Sequence, residues 1–181
     1  TVNHVIFVLI GRQGSYKTSF MQNLLPPCLR RYVTTKTNSQ RLGKDDLLTL
    51  SEFLLVNFEE IDTMRPAELN QLKAMTTALY IDERLPYGRN KVRLPHVASF
   101  CATGNNPLFL SDDTGNRRWL VFEVADIDSP WEHPIDHDAV YAQAKALLDS
   151  GFRYWFQGEE IDELNRRNRR FETPNPAREL I

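Results

Sequence analysis

Residues 5–18 read Val5-Ile6-Phe7-Val8-Leu9-Ile10-Gly11-Arg12-Gln13-Gly14-Ser15-Tyr16-Lys17-Thr18, an apolar run that ends directly in a glycine-containing loop. The apolar part is continuous rather than alternating, which is typical of a central strand covered on both faces. A helix is predicted from Lys17 to Leu25, where Pro26 and Pro27 stop it. A strand, a glycine loop and a helix in this order form the setting of a phosphate-binding loop.

In such a loop, backbone N–H groups and the helix N-terminus hold phosphates, a lysine reaches the β and γ groups, and a hydroxyl ligates Mg²⁺. Lys17 and Thr18 fall in register for the last two roles, so we predict ATP and Mg²⁺ as ligands. The predicted nucleotide-binding residues are Gly11, Gln13, Gly14, Ser15, Tyr16, Lys17, Thr18 and Ser19. The alternative is a strand-to-helix turn with incidental glycines.

One position departs from the standard loop, which has glycine directly before the lysine. Here that residue is Tyr16. Its side chain could crowd the phosphates or point away from them, and the sequence leaves both open.

An acidic pair follows a second apolar run, Phe53–Phe58, which predicts another buried strand. Two carboxylates leaving that strand place negative charge where a hydrated Mg²⁺ and an attacking water would sit. We assign Glu59 to the metal shell and Glu60 to polarising the water, although the two roles could be exchanged. The alternative is a solvated turn.

Two further polar groups border predicted strands. Val97–Ala102 leads into Thr103-Gly104-Asn105-Asn106, where an amide could hold the water or contact the γ-phosphate. Arg117 and Arg118 come just before the predicted strand Trp119–Val124 and suit an arginine finger. A simple Gly-Asn turn and a surface salt-bridge pair are the respective alternatives.

The remaining pattern completes a layered α/β domain with a mostly parallel sheet. Arg31–Thr35 is a candidate strand, Pro66 starts a helix that runs through Leu69, Leu72 and Met75, and further helices are predicted over Ala139–Leu148 and from Gly158 to Arg170. We expect an ATPase core over 1–126 and a helical segment over 127–181 packed on it. Together they form one domain that we expect to be excised from a longer protein.

Composition narrows the partners little. The 22 Lys and Arg nearly balance the 24 Asp and Glu, so net charge predicts neither nucleic acid nor membrane. The longest apolar run is far too short to span a bilayer, so a soluble cytoplasmic protein is expected. The two cysteines indicate no disulfide framework, and His133 and His137 fit an exposed loop better than a metal site.

A basic hairpin is predicted over Leu85–Leu94, with Tyr87-Gly88-Arg89-Asn90 near its tip. Basic residues dominate here, set against the single acid Glu83: Arg84, Arg89, Lys91 and Arg93. Charge alone fits a solvated basic turn almost as well as a nucleic-acid contact.

Four motifs in order now carry a family resemblance: Asn57-Phe58-Glu59-Glu60, Arg84-Leu85-Pro86-Tyr87-Gly88-Arg89, Thr103-Gly104-Asn105-Asn106 and Gly115-Asn116-Arg117-Arg118-Trp119. Over Val5–Phe171 the chain resembles the virulence-associated protein E family. That family groups with phage and plasmid primase-helicases, whose motor resembles superfamily 3 helicases.

The resemblance implies a P-loop NTPase of the AAA+ and superfamily 3 type, with a three-layer fold and a five-stranded sheet of order 5-1-4-3-2. It implies Asn105 as the first sensor and Arg117 or Arg118 acting on a neighbouring subunit's ATP, within a homo-oligomeric ring for which a hexamer is favoured. Lys44 and Asp45 match a family segment without a firm role, and Lys73 matches as a second phosphate or trans contact. Where the family often has an acid this chain has Asn57, which leaves Glu59 and Glu60 to carry the chemistry.

The same resemblance gives the hairpin a function. In superfamily 3 motors a hairpin ahead of the first sensor reaches into the central pore and grips single-stranded DNA. Arg84, Arg89, Lys91 and Arg93 would contact phosphates there, and Tyr87 could stack on a base. A primase, fused or separate, is a further candidate partner.

Three functions therefore compete. The leading hypothesis is an ATP-driven, helicase-like motor acting on nucleic acid in replication of the phage or plasmid type. The second is a nucleotide-binding assembly or regulatory module with little turnover, which Tyr16 and Asn57 favour. The third is a P-loop small-molecule kinase, for which the sequence offers neither a lid nor an acceptor pocket.

Overall fold

The computed structural model describes residues 4–37, 44–85, 87–111 and 116–174, without the side chains of Lys44 and Asp45. Five strands form one sheet and two form a separate hairpin. The sheet contains β1 (Ile6–Ile10), β2 (Val33–Lys36), β3 (Leu55–Phe58), β6 (Ser99–Gly104) and β7 (Trp119–Glu123), and the hairpin contains β4 (Tyr80–Arg84) and β5 (Lys91–Pro95).

Five α-helices and four 3₁₀ turns connect or follow these strands in the described residues. The helices are α1 (Lys17–Gln22), α2 (Lys44–Glu52), α3 (Pro66–Thr77), α4 (His137–Asp149) and α5 (Glu159–Asn168). The 3₁₀ turns cover Pro27–Tyr32, Ile61–Thr63, Asn116–Arg118 and Arg169–Phe171.

All neighbouring strands of the five-stranded sheet pair in parallel, and their order is β2-β3-β6-β1-β7. The hairpin takes two of these labels, so the order as written differs from the predicted 5-1-4-3-2, which numbered the sheet strands alone. Counted without the hairpin, the observed order is 2-3-4-1-5, the same arrangement seen from the opposite edge. β7 is thus an edge strand, and β1 lies between it and β6.

The core explains why the apolar run of β1 is unbroken. Successive side chains of a strand point to opposite faces, and both faces of β1 are covered. Ile6, Val8 and Ile10 join the buried cluster that includes the inward side of α3, whereas Leu9 packs with Met21 of α1. Burying each such side chain contributes roughly 1.5–3 kcal/mol. Helices therefore cover the sheet on both sides.

Several predicted boundaries are wrong. α1 ends at Gln22 rather than near Leu25, and Asn23 caps it with a side-chain N–H donated to the Ser19 carbonyl 2.8 Å away. β3 begins at Leu55 rather than Phe53, and two residues separate it from α2, a helix that the sequence did not predict. Pro66 does begin α3, as predicted.

The C-terminal segment contributes buried groups to the rest of the domain. Leu164 and Asn168 of α5 are buried, and so is Phe171 in the following turn. The Phe171 carbonyl accepts hydrogen bonds from the backbone of Phe109 and Leu110. α4, by contrast, has no buried residue. Among the described helices, none combines the length and apolarity that a membrane crossing needs.

Candidate functional site

The site lies where the loops that follow β1, β3 and β6 meet. Because these three strands are neighbours and parallel, their carboxyl ends open on one edge of the sheet. The loops enclose a cavity of about 350 Å³, within the size range of small-molecule sites. Its lining residues are Gln13, Gly14, Ser15, Tyr16, Lys17, Thr18, Ser19, Glu59, Glu60, Thr103, Gly104 and Asn105.

Two glycines of the first loop have separate physical reasons. A Cβ at Gly11 would come within 2.5 Å of the Val124 carbonyl oxygen, so only glycine allows the chain after β7 to pass this close. Gly14 has φ of 83°, a left-handed conformation that glycine adopts without steric cost. Gly11 therefore allows close packing against the chain after β7, whereas Gly14 allows the loop to turn.

Lys17 is buried beneath this loop and surrounded by oxygen. Its Nζ lies 2.9 Å from the Gly11 carbonyl, 2.6 Å from the Arg12 carbonyl and 3.2 Å from Ser15 Oγ. A fourth oxygen comes from the β6 loop, where Asn105 Oδ1 is 3.3 Å away. Burial lowers the pKa of Lys17 from its ordinary value, and the charge of Asp62 opposes that shift. An anion in the cavity would favour the charged lysine in the same way.

Tyr16 has a left-handed backbone, with φ of 57° and ψ of 15°. A residue other than glycine pays a steric cost in this conformation, so Tyr16 is strained. The ring lies 5.7 Å from that of Trp131, at 75° to it, and 41% of Tyr16 is exposed. Of the two alternatives left by the sequence, the contact with Trp131 fits a ring turned toward the rim.

The acidic pair reaches the same cavity. Glu59 is half-buried and Glu60 is exposed, and both line the cavity together with Thr18. Glu60 is a second left-handed residue, with φ of 54°. A threonine hydroxyl and carboxylate oxygens are the hard donors that Mg²⁺ prefers. Thr18 and Glu59 therefore fit the predicted metal, although the described residues hold no cluster of three or more His, Cys, Asp or Glu.

Asp62 is a site residue that the sequence analysis missed. Its two carboxylate oxygens accept the backbone N–H groups of Asn105 and Asn106, at 3.2 and 3.0 Å. A Cβ at Gly104 would lie 2.7 Å from Asp62 Oδ1, so a side chain at that position would have to displace the carboxylate. Asp62 thus ties the loop after β3 to the loop after β6 and holds Asn105 beside Lys17. A third acid so close to Glu59 and Glu60 was the available signal.

Asn57 lies in the core rather than among the residues that line the cavity. It is fully buried in β3 opposite Cys101 of β6, whose thiol donates to Asn57 Oδ1 at 3.5 Å. Burial raises the pKa of the Cys101 thiol to about 12, so the thiol stays neutral. Asn57 Nδ2 has no hydrogen-bond partner within the described residues. With Asn57 in this apolar layer, Glu59 and Glu60 are the acids that line the cavity.

Arg117 and Arg118 lie away from their own cavity. They occupy the 3₁₀ turn before β7, and β7 starts level with Ile6, at the opposite end of β1 from the loop. The separation along the strands is about 13 Å at roughly 3.3 Å per residue. Arg117 is exposed and Arg118 is half-buried. Burial is the main cause that lowers the pKa of Arg118, and the positive charge of Arg117 lowers it further.

Asn168 of α5 fixes this arginine turn. Its buried Nδ2 donates to the carbonyls of Asn116 and Trp119, both at 2.7 Å. The Asn116 side chain in turn donates to Glu172 at 2.8 Å. The C-terminal segment therefore positions the two arginines. Lys73, the other predicted trans contact, is buried in α3.

The hairpin starts earlier than predicted and carries a second acid. Asp82 and Arg93 are cross-strand partners joined by a bidentate ion pair at 2.8 and 3.0 Å. Glu83 is thus not the single acid of the hairpin, and Arg93 is partly neutralised. Arg84, Arg89 and Lys91 are exposed, and the left-handed Tyr87 is fully exposed near the tip.

Fold and site together define a parallel α/β domain with a polar cavity at the carboxyl edge of its sheet. The sequence matches the virulence-associated protein E-like domain over residues 3–173, and the chain belongs to this family. None of the curated proteins matches the chain.

Solved structures of the NrS-1 C-terminal region share the fold. Two A-form apo structures match with TM-scores of 0.51 and 0.52 at 16% identity. A further apo structure matches with a TM-score of 0.51 at 14% identity. Each match covers 93% of this chain but only 34–36% of the other. The chain therefore spans about a third of the length of these proteins.

We predict that Asp62→Asn lowers the free energy of unfolding by about 1.5–3 kcal/mol, because an amide loses one charged acceptor and points N–H groups at a backbone donor. Chemical denaturation measures the change. Asp128→Asn, at an exposed carboxylate, is the control and should have little effect. Equal stability of both variants would show that Asp62 does not hold the two loops together.

Proposed function

We propose that this chain is the ATP-hydrolysing motor domain of a P-loop NTPase that acts on single-stranded DNA, in replication of the phage or plasmid type. One observation carries the proposal: Lys17, Thr18, the acidic pair and Asn105 meet in a single cavity. Family membership and the resemblance to primase-helicases support the replication context.

The residues of the cavity divide the work of phosphoryl transfer. Backbone N–H groups of residues 13–16 and the ammonium of Lys17 bind the phosphates, which replace the carbonyl oxygens that now surround Nζ. Thr18 and Glu59 would hold Mg²⁺, which supplies neutralisation of phosphate charge. Glu60 orients the attacking water, and Asn105 contacts either that water or the γ-phosphate. Such catalysis consists almost entirely of positioning and electrostatics.

The arginine turn completes the site of a neighbouring molecule in this proposal. Arg117 and Arg118 stand at the far end of β7 from their own phosphate loop, on the edge strand of the sheet. An edge position can face a second copy, as a ring of identical subunits requires. Arg117 is the better candidate for the finger because it is exposed, whereas Arg118 is half-buried.

The hairpin is the proposed contact to single-stranded DNA. Arg84, Arg89 and Lys91 present exposed cations, and Tyr87 presents a fully exposed ring that can stack on a base. Arg93 contributes less, because Asp82 already satisfies its guanidinium.

A nucleotide-binding module with little turnover is the second candidate. Two observations favour it: the strained Tyr16 within the loop and the neutral, buried Asn57. Both candidates bind nucleotide, so turnover and its response to single-stranded DNA separate them.

We predict that Lys17→Ala lowers ATP turnover by at least about 10²-fold, because the bound phosphates lose their buried cationic partner. ATPase assays and nucleotide-binding titrations measure the loss. Lys145→Ala, which removes an exposed lysine paired with Asp149 on α4, is the matched control. A Lys17→Ala protein that bound and hydrolysed ATP like the parent would disprove the phosphate-loop assignment.

The double change Arg89→Ala and Lys91→Ala should weaken single-stranded DNA binding while sparing basal ATPase. Losing two phosphate contacts flattens the plot of log affinity against log salt by about 0.7 per contact. Binding is measured at several salt concentrations. The control is the double variant Arg30→Ala and Lys145→Ala, which removes two basic residues outside the hairpin. An unchanged slope would show that the hairpin is only a solvated turn.

Mixing two inactive variants tests the trans arginine. Lys17→Ala and Arg117→Ala are each expected to be inactive, since an arginine finger is worth roughly 10³–10⁵ in rate. In a mixed ring some interfaces pair an intact loop with an intact arginine, so partial activity should return. If co-assembled variants regain nothing, Arg117 does not act across subunits, and the same mixture with Arg118→Ala then tests the other residue.

A further inference from the structure

An aromatic pair stands at the rim of the candidate nucleotide cavity. Tyr16 and Trp131 meet edge to face, with ring centroids 5.7 Å apart, and remain 41% and 70% exposed. Among the described residues that line the cavity, Tyr16 alone carries an aromatic ring. Exposed aromatic faces beside a polar cavity offer a stacking surface to a planar ligand.

The position of Trp131 is fixed from both sides. Upstream, the Val124 N–H donates to the Ile10 carbonyl at 2.7 Å, and Ile127 packs against the cluster that contains Leu9 and Met21. Downstream, His137 Nε2 lies 2.8 Å from the Asn23 carbonyl at the end of α1. The connector between β7 and α4 is therefore anchored to the two elements that flank the phosphate loop.

A tight turn presents the indole within that connector. The Ser129 carbonyl accepts the N–H groups of Glu132 and His133, at 3.1 and 2.8 Å, so Trp131 stands inside a closed turn. Tyr16, on the other side, holds a left-handed conformation that residues other than glycine seldom adopt. Strain of this kind persists where the surroundings fix it, and it is concentrated at ligand-binding sites.

We propose that Tyr16 and Trp131 form the stacking site for the base of the bound nucleotide. The inference rests on the proposed function, since it takes the triphosphate to lie against Lys17. Tyr16 directly precedes Lys17. When the phosphates of a nucleotide occupy the cavity, the ring pair at the rim of the cavity is therefore beside the rest of the nucleotide. An edge-to-face pair leaves ring faces open, and a base can stack on them.

Stacking recognises the flat face of the base rather than its hydrogen-bonding edge. Every base has such a face, so stacking on aromatic side chains tolerates different bases. The site is thus expected to accept ATP and GTP with similar affinity. Each aromatic contact is worth roughly 5- to 100-fold in affinity.

Inorganic tripolyphosphate tests the base contact separately from the phosphate contact, because it carries the phosphates without a base. Calorimetric titration with Mg²⁺ present compares ATP, GTP and tripolyphosphate on the parent, Trp131→Ala, Trp131→Phe and the control Trp155→Ala. Trp155 is also exposed, at 52%, and its ring contacts Tyr154 instead. Thermal unfolding checks that each variant is folded.

We expect Trp131→Ala to lower the affinity for ATP and GTP by about 5- to 100-fold while leaving the affinity for tripolyphosphate unchanged. Trp131→Phe should recover most of the loss, and Trp155→Ala should behave like the parent. Equal loss for ATP and tripolyphosphate in a folded Trp131→Ala protein would overturn the inference, because the ring would then only support the loop. A parent that binds ATP no more tightly than tripolyphosphate would also overturn it, yet the phosphate site would stand. A parent that binds neither would disprove the proposed function itself.

Discussion

Parallel pairing of β1 with β6 on one side and β7 on the other is the constraint on which the site depends. It brings the loop after Ile10 level with Gly104 and Glu123, because these are its register partners. Contact is then so close that Cβ atoms do not fit. At Gly11 one would meet the Val124 carbonyl, and at Gly104 one would meet both Asp62 and Ile10. A backbone carbonyl sets the limit at Gly11 and two side chains set it at Gly104, so both kinds of contact shape the cavity.

The sequence predicted what is local and missed what is brought together by the fold. β1 and its loop are adjacent in the chain, and so are β3 and Glu59, so spacing alone located them. Asp62 contacts a loop more than forty residues away. The residues around it in the sequence do not identify the backbone N–H groups from which it accepts hydrogen bonds. The Asp82–Arg93 pair was missed for the same reason, since the cross-strand register depends on where the hairpin begins.

Helix α2 was missed for a different reason. Its sequence Lys44–Glu52 contains two aspartates, a threonine and a serine, which favour caps and turns over helix interiors. Tertiary packing offsets that weak propensity, because Leu50 is fully buried in the main core. The general α/β class and the parallel sheet were still predictable, since they follow from the unbroken apolar runs rather than from any one helix.

Backbone conformation gives independent weight to three predicted functional positions. Within the described residues, the non-glycine residues with positive φ are Tyr16, Glu60 and Tyr87. They fall in the phosphate loop, the acidic pair and the hairpin tip. A left-handed conformation costs free energy at each of these non-glycine residues. Natural proteins tolerate such strain mainly at functional sites.

Two cationic groups at opposite ends of the sheet show the same electrostatic signature. Burial lowers the pKa of Lys17 at the carboxyl edge and of Arg118 at the amino edge. A desolvated cation is relieved by an anion, and one phosphate of a nucleotide cannot reach both groups of one molecule across about 13 Å of strand. Two copies arranged head to tail can bring the arginine turn of one to the loop of the next. That arrangement is heterologous, and it closes into a ring when the rotation between copies permits. In the proposed ring, each molecule would therefore carry one half of each of two different sites.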